Sequence, residues 1–336
     1  MRIAIVNDMP MAVEALRRAL AFEPAHQLVW VAHDGAEAVH LCAVDTPDLI
    51  LMDLFMPMMD GVEATRQIMT ATPCAIVIVT TDQKQNVHKV FEAMGHGALD
   101  VVDTPALGVG NAREAAAPLL RKIFNIGWLI GQRNAPGKPA QTAARNPGQR
   151  RQLVAIGSSA GGPAALEVLL KGLPRDFEPA IVLVQHVDQV FAQGMAEWLS
   201  GVADIPVRLA RDGEQPHPGT VLLAGTNHHL RMLKNGNLAY TAEPVNEIYR
   251  PSIDVFFDSV ASYWNGEVVG VLLTGMGRDG ANGLKALRQR GFLTIAQDQR
   301  TSAVYGMPKA AVAIDAAVEV KPLESIAPRL MEVFRK

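Results

Sequence analysis

No apolar run in this 336-residue chain approaches the roughly 20 residues that a membrane-spanning helix requires. The hydrophobic residues, 49% of the total, fall in strand-sized stretches broken by Asp, Gly or Pro. The reading is therefore a soluble protein with no direct membrane insertion. The N-terminus offers only Ile3 to Val6 before Asn7 and Asp8, too short for the apolar core of a secretory signal, so a cytoplasmic location is expected. Cysteine is nearly absent: Cys42 and Cys74 lack metal-ligand spacing and read as buried thiols of a reducing compartment, which excludes a disulfide framework. A basic excess is missing too. Residues 1–131 carry 9 basic and 15 acidic groups, residues 132–150 carry 4 and none, and residues 151–336 carry 18 and 19. Neither large segment has the charge of a nucleic-acid-binding module. No internal repeat of solenoid period is present.

Two α/β patterns occupy the chain, as its length allows for two separate cores. In the first, the short runs RIAIV, LVWVA, LILMD, AIVIVT and LDVVD alternate with helical stretches such as AVEALRRALAF and GVEATRQIM. Alternation of this kind means a parallel sheet covered by helices on both faces, and five strands in this length fit the flavodoxin-like order 2-1-3-4-5. Pro10 suits a first helical turn, and a last amphipathic helix runs through AREAAAPLLRKIF despite Pro118. The stretch GQRNAPGKPAQTAARNPGQR then loses all apolar periodicity and reads as a linker. The expected units are 1–122, a helix end with linker over 123–150, and 151–336. Strand-like runs return at LVAIG, AIVLVQ, VRLA, TVLLAG, VVGVLLT and LTIAQ, and the Asn235-Gly236 pair within HLRMLKNGNLAYTA signals a tight hairpin. A doubly wound, mainly parallel sheet with one antiparallel excursion is expected.

In the second pattern three apolar runs each lead to one member of a Ser/His/Asp set: Ser159, His186 and Asp279. The carboxyl ends of parallel strands open onto one crevice, where a nucleophile, a base and an orienting acid would together support acyl transfer. GSSAGGP makes a strand-to-helix turn of small residues whose N–H groups point at an incoming anion. It lacks the Lys-Ser/Thr ending of a P-loop and the spacing of a dinucleotide fingerprint. Spacing does not choose between Ser158 and Ser159; His228 and His229 rival His186, and Asp298 rivals Asp279. The Gly-rich turn LLTGMGRDGANG offers an N–H near Met276 for an oxyanion.

The first pattern has its own strand-end cluster: Asp8 after the first strand, Asp53 after the third and Thr80 at the end of the fourth. Two carboxylates there suit Mg²⁺, Asp53 suits attack on phosphorus, and the Thr80 hydroxyl suits a phosphoryl oxygen.

DLILMDLFMPMMDG and IVNDMP strongly resemble the phosphorylation segment and acidic first loop of response-regulator receiver domains. That resemblance covers nearly all of residues 1–122 and implies phosphoryl transfer from a CheA-type histidine kinase to Asp53, with Asp8 on Mg²⁺. Asn7 replaces one of the usual two acids. Thr104 stands where receivers carry Lys, and a hydroxyl supplies none of the charge of an ammonium. In the second half IGSSAGGP, VQHV, YRPSIDVFF, LLTGMGRDGA and AQDQRTSAVYGMPKAA resemble the catalytic domain of chemotaxis-type protein-glutamate methylesterases, the CheB family. The resemblance implies Ser159 as nucleophile, His186 as base, Asp279 as its orienting acid, and the N–H groups of Ala160 and Met276 as the oxyanion hole. It implies a methylated chemotaxis-type receptor as substrate, with glutamine deamidation as an accompanying activity, no cofactor for the esterase step, and a receiver that restrains the esterase until phosphorylated. Tyr249 occupies a position where some members carry His. IVNDMP and LDVVDTP resemble the branch of Wsp-type surface-sensing pathways. A DNA-binding regulator is disfavoured by the near-neutral α/β output segment, and a catalytically idle scaffold by the preserved trio.

Overall fold

The computed structural model describes residues 1–81, 87–106, 111–130 and 151–335. Two compact units, Met1–Asn134 and Ala135–Lys336, divide the chain. The expected linker over 131–150 lies outside the described residues.

In the first unit, strands β1 (Arg2–Val6), β2 (Gln27–Ala32), β3 (Leu49–Met52), β4 (Ala75–Thr80) and β5 (Asp100–Asp103) alternate with helices α1 (Pro10–Ala21), α2 (Gly35–Val44), α3 (Gly61–Ala71), α4 (Val87–Gly95) and α5 (Ala112–Ile130). The sheet order is β2-β1-β3-β4-β5, all parallel, as the alternation implies. Burial on both faces explains the uninterrupted apolar composition of β3, whose four residues are all buried. Helix α1 begins at Pro10 and buries Ala12, Val13, Leu16, Ala19 and Leu20, one stripe at helical spacing. Helix α5 runs to Ile130 and keeps Pro118 inside it. Pro118 is exposed, as is Glu114, whose carbonyl would otherwise accept from residue 118.

The second unit contains β6 (Gln152–Ser158), α6 (Gly162–Lys171), β7 (Ala180–Gln185), α7 (Gln189–Val202), β8 (Val207–Leu209), β9 (Val221–Leu223), β10 (His229–Met232), β11 (Leu238–Thr241), α8 (Ile253–Tyr263), β12 (Glu267–Leu272), α9 (Ala281–Gln289), β13 (Leu293–Gln297), α10 (Met307–Ala313), β14 (Glu319–Lys321) and α11 (Ile326–Phe334). Seven strands form one sheet in the order β14-β13-β12-β6-β7-β9-β8, and every pair in it is parallel. The antiparallel excursion stands outside that sheet: among the described residues β10 and β11 pair only with each other, antiparallel, as a separate ribbon. Its apolar side, Leu230, Met232 and Leu238, packs into the core with Phe256, Phe257 and Val260 of α8, so the ribbon is held by burial rather than by sheet hydrogen bonds.

The strand order determines where a ligand can enter. From β6 the chain winds outward through β7 toward β9 and β8, and later returns to the other side of β6 with β12, β13 and β14. The reversal lies at β6, so the loops after β12, β6 and β7 diverge around a crevice at the carboxyl ends of these three neighbouring strands.

Candidate active site

Ser159 follows the last residue of β6 and leads into α6. Its N–H is tied to the Thr274 carbonyl at 3.0 Å, which fixes the turn against the loop after β12. Its neighbour Ser158 is fully buried and donates to Gln185 Oε1 at 2.6 Å. The structure therefore separates the two serines: only Ser159 turns its hydroxyl toward an imidazole. Gln185 itself, at the end of β7, is buried, and its amide donates to the carbonyls of Ser159 at 2.9 Å and His186 at 3.1 Å. A Cβ at Gly162 would stand 2.0 Å from Gln185 Oε1. Because this amide is fixed at both ends, no side chain fits at 162 without breaking the brace under the turn.

His186 follows β7 directly. Its Nδ1 lies 3.0 Å from Ser159 Oγ and its Nε2 lies 2.7 Å from Asp279 Oδ2. A carboxylate only accepts, so Nε2 carries the proton and Nδ1 offers its lone pair to the serine hydroxyl. Asp279 comes from the loop between β12 and α9 and is 5% exposed, His186 10%. Buried charge at this depth demands partners. Asp279 Oδ1 accepts from Ser252 Oγ at 2.9 Å and the Asp254 N–H at 3.0 Å, and Oδ2 accepts from the Ile253 N–H at 2.7 Å in addition to His186. These donors belong to the N-terminus of α8, where the helix dipole also favours a negative charge. Burial pushes the Asp279 carboxyl up, but the His186 hydrogen bond and charge and the α8 N–H groups outweigh it and hold the group below the usual carboxylate range.

Ala160 and Met276 flank this line, one beside the nucleophile and one in the loop carrying Asp279. Among the described residues neither N–H has a hydrogen-bond partner. The loops that carry them are joined by Thr274, whose hydroxyl lies 3.0 Å from the Ala160 carbonyl and accepts from the Val304 N–H at 2.9 Å. Gln297 supports it, accepting from the Thr274 N–H at 2.8 Å. Of the rivals, His229 is fully buried, accepts at Nδ1 from the Ser252 N–H at 3.0 Å and donates from Nε2 to the Pro244 carbonyl at 3.1 Å. Both ring nitrogens are occupied, and His229 serves as a strut that holds Ser252 in place. His228 is exposed. Asp298 accepts from the Thr301 N–H at 3.0 Å and makes no bond to His186.

Gln185, Ser252, Thr274 and Gln297 escape a reading by motif chemistry, since each acts through a partner distant in sequence. A signal exists only for Ser252, a serine immediately before an apolar helical run. It is the N-cap of α8 and accepts from the Val255 N–H at 3.3 Å.

The acidic cluster of the first unit also assembles. Asp8 follows β1, Asp53 follows the adjacent β3, and Thr80 ends β4 on its far side, with the Thr80 side chain buried. The Asn7 amide donates to Asp53 Oδ2 at 3.0 Å, while Asp53 Oδ1 accepts from the Leu54 N–H at 2.7 Å. Burial, reinforced by the charge of Asp8, pushes the Asp53 carboxyl up to about 6 against the pull of the Phe55 and Leu54 N–H groups. No set of three or more His, Cys, Asp or Glu among the described residues could hold a metal. The mutually repelling pair Asp8 and Asp53 nevertheless fits Mg²⁺, which uses one or two carboxylates and keeps several waters. Thr104, in the position where a receiver lysine is expected, donates its N–H to the Thr80 carbonyl at 3.2 Å. The described lysines of this unit are paired elsewhere, Lys89 with Asp60 at 2.8 Å and Lys122 with Asp100 at 2.6 Å. The cysteines differ slightly from expectation: both are free, Cys42 buried but Cys74 only partly so.

Comparison with known proteins gives a family for each unit. Residues 154–330 match the model of the CheB methylesterase family and residues 3–106 that of the response regulator receiver domain. Over the full length of both chains the protein is 78% identical to protein-glutamate methylesterase/protein-glutamine glutaminase 1 of Pseudomonas fluorescens strain Pf0-1. It is 62% identical to a protein of the same name, numbered 2, from Cupriavidus metallidurans, over 98% of each chain. The crystal structure of the Thermotoga maritima CheB methylesterase catalytic domain superposes with a TM-score of 0.51 at 34% identity, covering 55% of this chain and 98% of that one. A receiver followed by this catalytic unit, matched end to end by such relatives, places the chain in the CheB methylesterase family.

Proposed function

We propose that this chain is a protein-glutamate methylesterase that hydrolyses glutamate methyl esters on chemotaxis-type receptors and deamidates receptor glutamines, under control of phosphorylation at Asp53. The observation that carries the reading is the continuous line Ser159 Oγ to His186 to Asp279, with steps of 3.0 and 2.7 Å. His186 Nδ1 takes the hydroxyl proton as Ser159 attacks the γ-carbonyl, and the imidazolium so formed is balanced by Asp279. The carbonyl oxygen becomes an anion between the Ala160 and Met276 N–H groups, whose lack of partners among the described residues leaves them ready to donate. His186 then returns the proton to the leaving methoxide. Methanol departs, water enters on the same base, and the acyl-enzyme gives the receptor's glutamyl carboxylate and a free Ser159 hydroxyl. A glutamine substrate differs only in the leaving group, where the same imidazolium protonates departing nitrogen. Each turnover adds one negative charge to the receptor.

No described helix is long and apolar enough to cross a membrane. The reading is an enzyme of the cytoplasm acting on the cytoplasmic portion of its receptor. Similarity of IVNDMP and LDVVDTP to the surface-sensing branch supports a receptor of that kind. The direct test is release of methanol by the full-length protein from receptor membranes labelled in the ester methyl group. Labelled methanol well above the enzyme-free blank is expected; release equal to the blank overturns the reading.

The receiver reading has a separate test. Asp8 and Asp53 would hold Mg²⁺, which supplies positive charge opposite an incoming phosphoryl group. The Asp53 carboxylate is the nucleophile and the phosphoryl donor a CheA-type kinase. With a small acyl phosphate and Mg²⁺, acid-labile phosphate is expected on the native protein and not on Asp53→Asn. In low Mg²⁺ the rate should fall as pH drops through about 6, because the raised carboxyl of Asp53 becomes protonated there and loses its lone-pair reactivity. Equal labelling of the Asn variant would reject Asp53 as the site.

A further inference from the structure

The imidazole of His186 is held at its two edges, Nδ1 toward Ser159 and Nε2 toward Asp279. Both contacts lie in the plane of the ring and leave its faces uncovered. Swing about the Cα–Cβ and Cβ–Cγ bonds is opposed by these two hydrogen bonds. The structure supplies a third contact: the Tyr249 ring lies flat on the imidazole, with centroids 4.4 Å apart and 3° between the planes.

Tyr249 also reaches the loop that carries Met276. Gly277 has φ +82°, and a Cβ built there would lie 2.7 Å from the Tyr249 hydroxyl. The phenol thus rests on the backbone beside the proposed oxyanion donor while its ring covers the proposed base. Burial, with the charge of Asp279 added, raises the Tyr249 hydroxyl above its ordinary value, so the phenol stays neutral.

We propose that Tyr249 is a positioning residue for His186, whose ring limits the swing of the imidazole toward that face and whose π face stabilises the imidazolium formed as Ser159 attacks. The inference rests on the assignment of His186 as general base. An aromatic face beside a cation is stabilising, and a flat ring pair fixes orientation at little entropic cost. With Tyr rather than His at 249, the His186 imidazole is stacked on a neutral partner. Among the described residues, Asp279 lies at the edge of that imidazole, and Asp254 and Asp258 of α8 interact electrostatically with Asp279. None of these changes in the variants below.

The experiment compares full-length native protein with Tyr249→Phe and Tyr249→Leu, measuring kcat and KM for methanol release across pH. Phe keeps the ring and should stay within about threefold of native with the same profile. Leu keeps an apolar cover but has no π face. It should lower kcat by about tenfold with little change in KM. The imidazolium loses a stabilising partner, so the acid limb should move to lower pH by roughly 0.4 to 1 unit. A Leu variant with native kcat and an unmoved acid limb overturns the proposal, as does a Phe variant as impaired as Leu. Titration of the His186 ring by NMR in the same proteins reads the stacking without turnover. A lower midpoint in Leu than in Phe and native is expected, and equal midpoints reject the role. Absence of methanol release in the native protein would instead count against the esterase reading, leaving the NMR comparison to decide on Tyr249.

Discussion

Replacing Ser159 by Ala is expected to reduce methanol release by about 10⁴- to 10⁶-fold, or roughly 5 to 8 kcal/mol of transition-state stabilisation. The loss is that large because the hydroxyl is the only group on the line that forms a bond to the substrate. What survives is the contribution of the Ala160 and Met276 N–H groups and of binding. Stability should hardly change, since among the described residues the Ser159 hydroxyl bonds only to His186. The informative control is Ser158→Ala. Ser158 is fully buried and donates to Gln185 Oε1 at 2.6 Å, so its loss leaves a buried acceptor unpaired and should cost about 1 to 3 kcal/mol of stability. Its turnover should stay within about tenfold of native while folded. A profile with the two serines exchanged, inactive at 158 and active at 159, would reject the assignment.

The contrast between these serines marks the limit of what the amino-acid order reveals. Strand runs end immediately before Ser159 and His186, and Asp279 lies in the Gly-rich loop after a third, so the convergence of the three at one crevice follows from a parallel sheet. The order β2-β1-β3-β4-β5 was equally legible, because apolar runs alternated regularly with amphipathic stretches. What distinguished Ser159 from Ser158 was the side chain of Gln185, 27 residues from Ser158, and no local pattern encodes that contact. His229 shows the same limit from the other side. It follows a strand-like run as His186 does, yet the fold buries it between the Ser252 N–H and the Pro244 carbonyl. Strand β14 was missed because it is three residues long and only partly buried, a sheet edge without the apolar density that marks β3 or β7. The hairpin was legible from Asn235-Gly236, but its separation from the main sheet was not, since alternation in a strand does not name its neighbours.

Asp279→Asn should lower kcat/KM by about 10³- to 10⁴-fold through a different route. The native carboxylate accepts from four donors, two at each oxygen: His186 Nε2 and the Ile253 N–H at one, Ser252 Oγ and the Asp254 N–H at the other. An amide can present oxygen to only one of these pairs. If its NH₂ faces His186, the ring must accept at Nε2 and carry its proton at Nδ1, the edge that should receive the serine proton. If its NH₂ faces Ser252, the tautomer is retained but the imidazolium has no counter-charge. Either way one N–H at the start of α8 loses its acceptor, which should cost about 1 to 3 kcal/mol of stability. The pH dependence of that cost has a definite sign. The Asp279 carboxyl is held below the usual carboxylate range in the folded protein, so its stabilisation is present above the unfolded value and is lost as pH falls through the folded one. The difference in thermal midpoint between native protein and Asp279→Asn should therefore be largest near neutrality and shrink in acid below the ordinary carboxylate range. A difference constant from pH 7 to the most acidic pH at which both fold would mean that the four donors do not hold a charge at Asp279, and the orienting role assigned to it would fail.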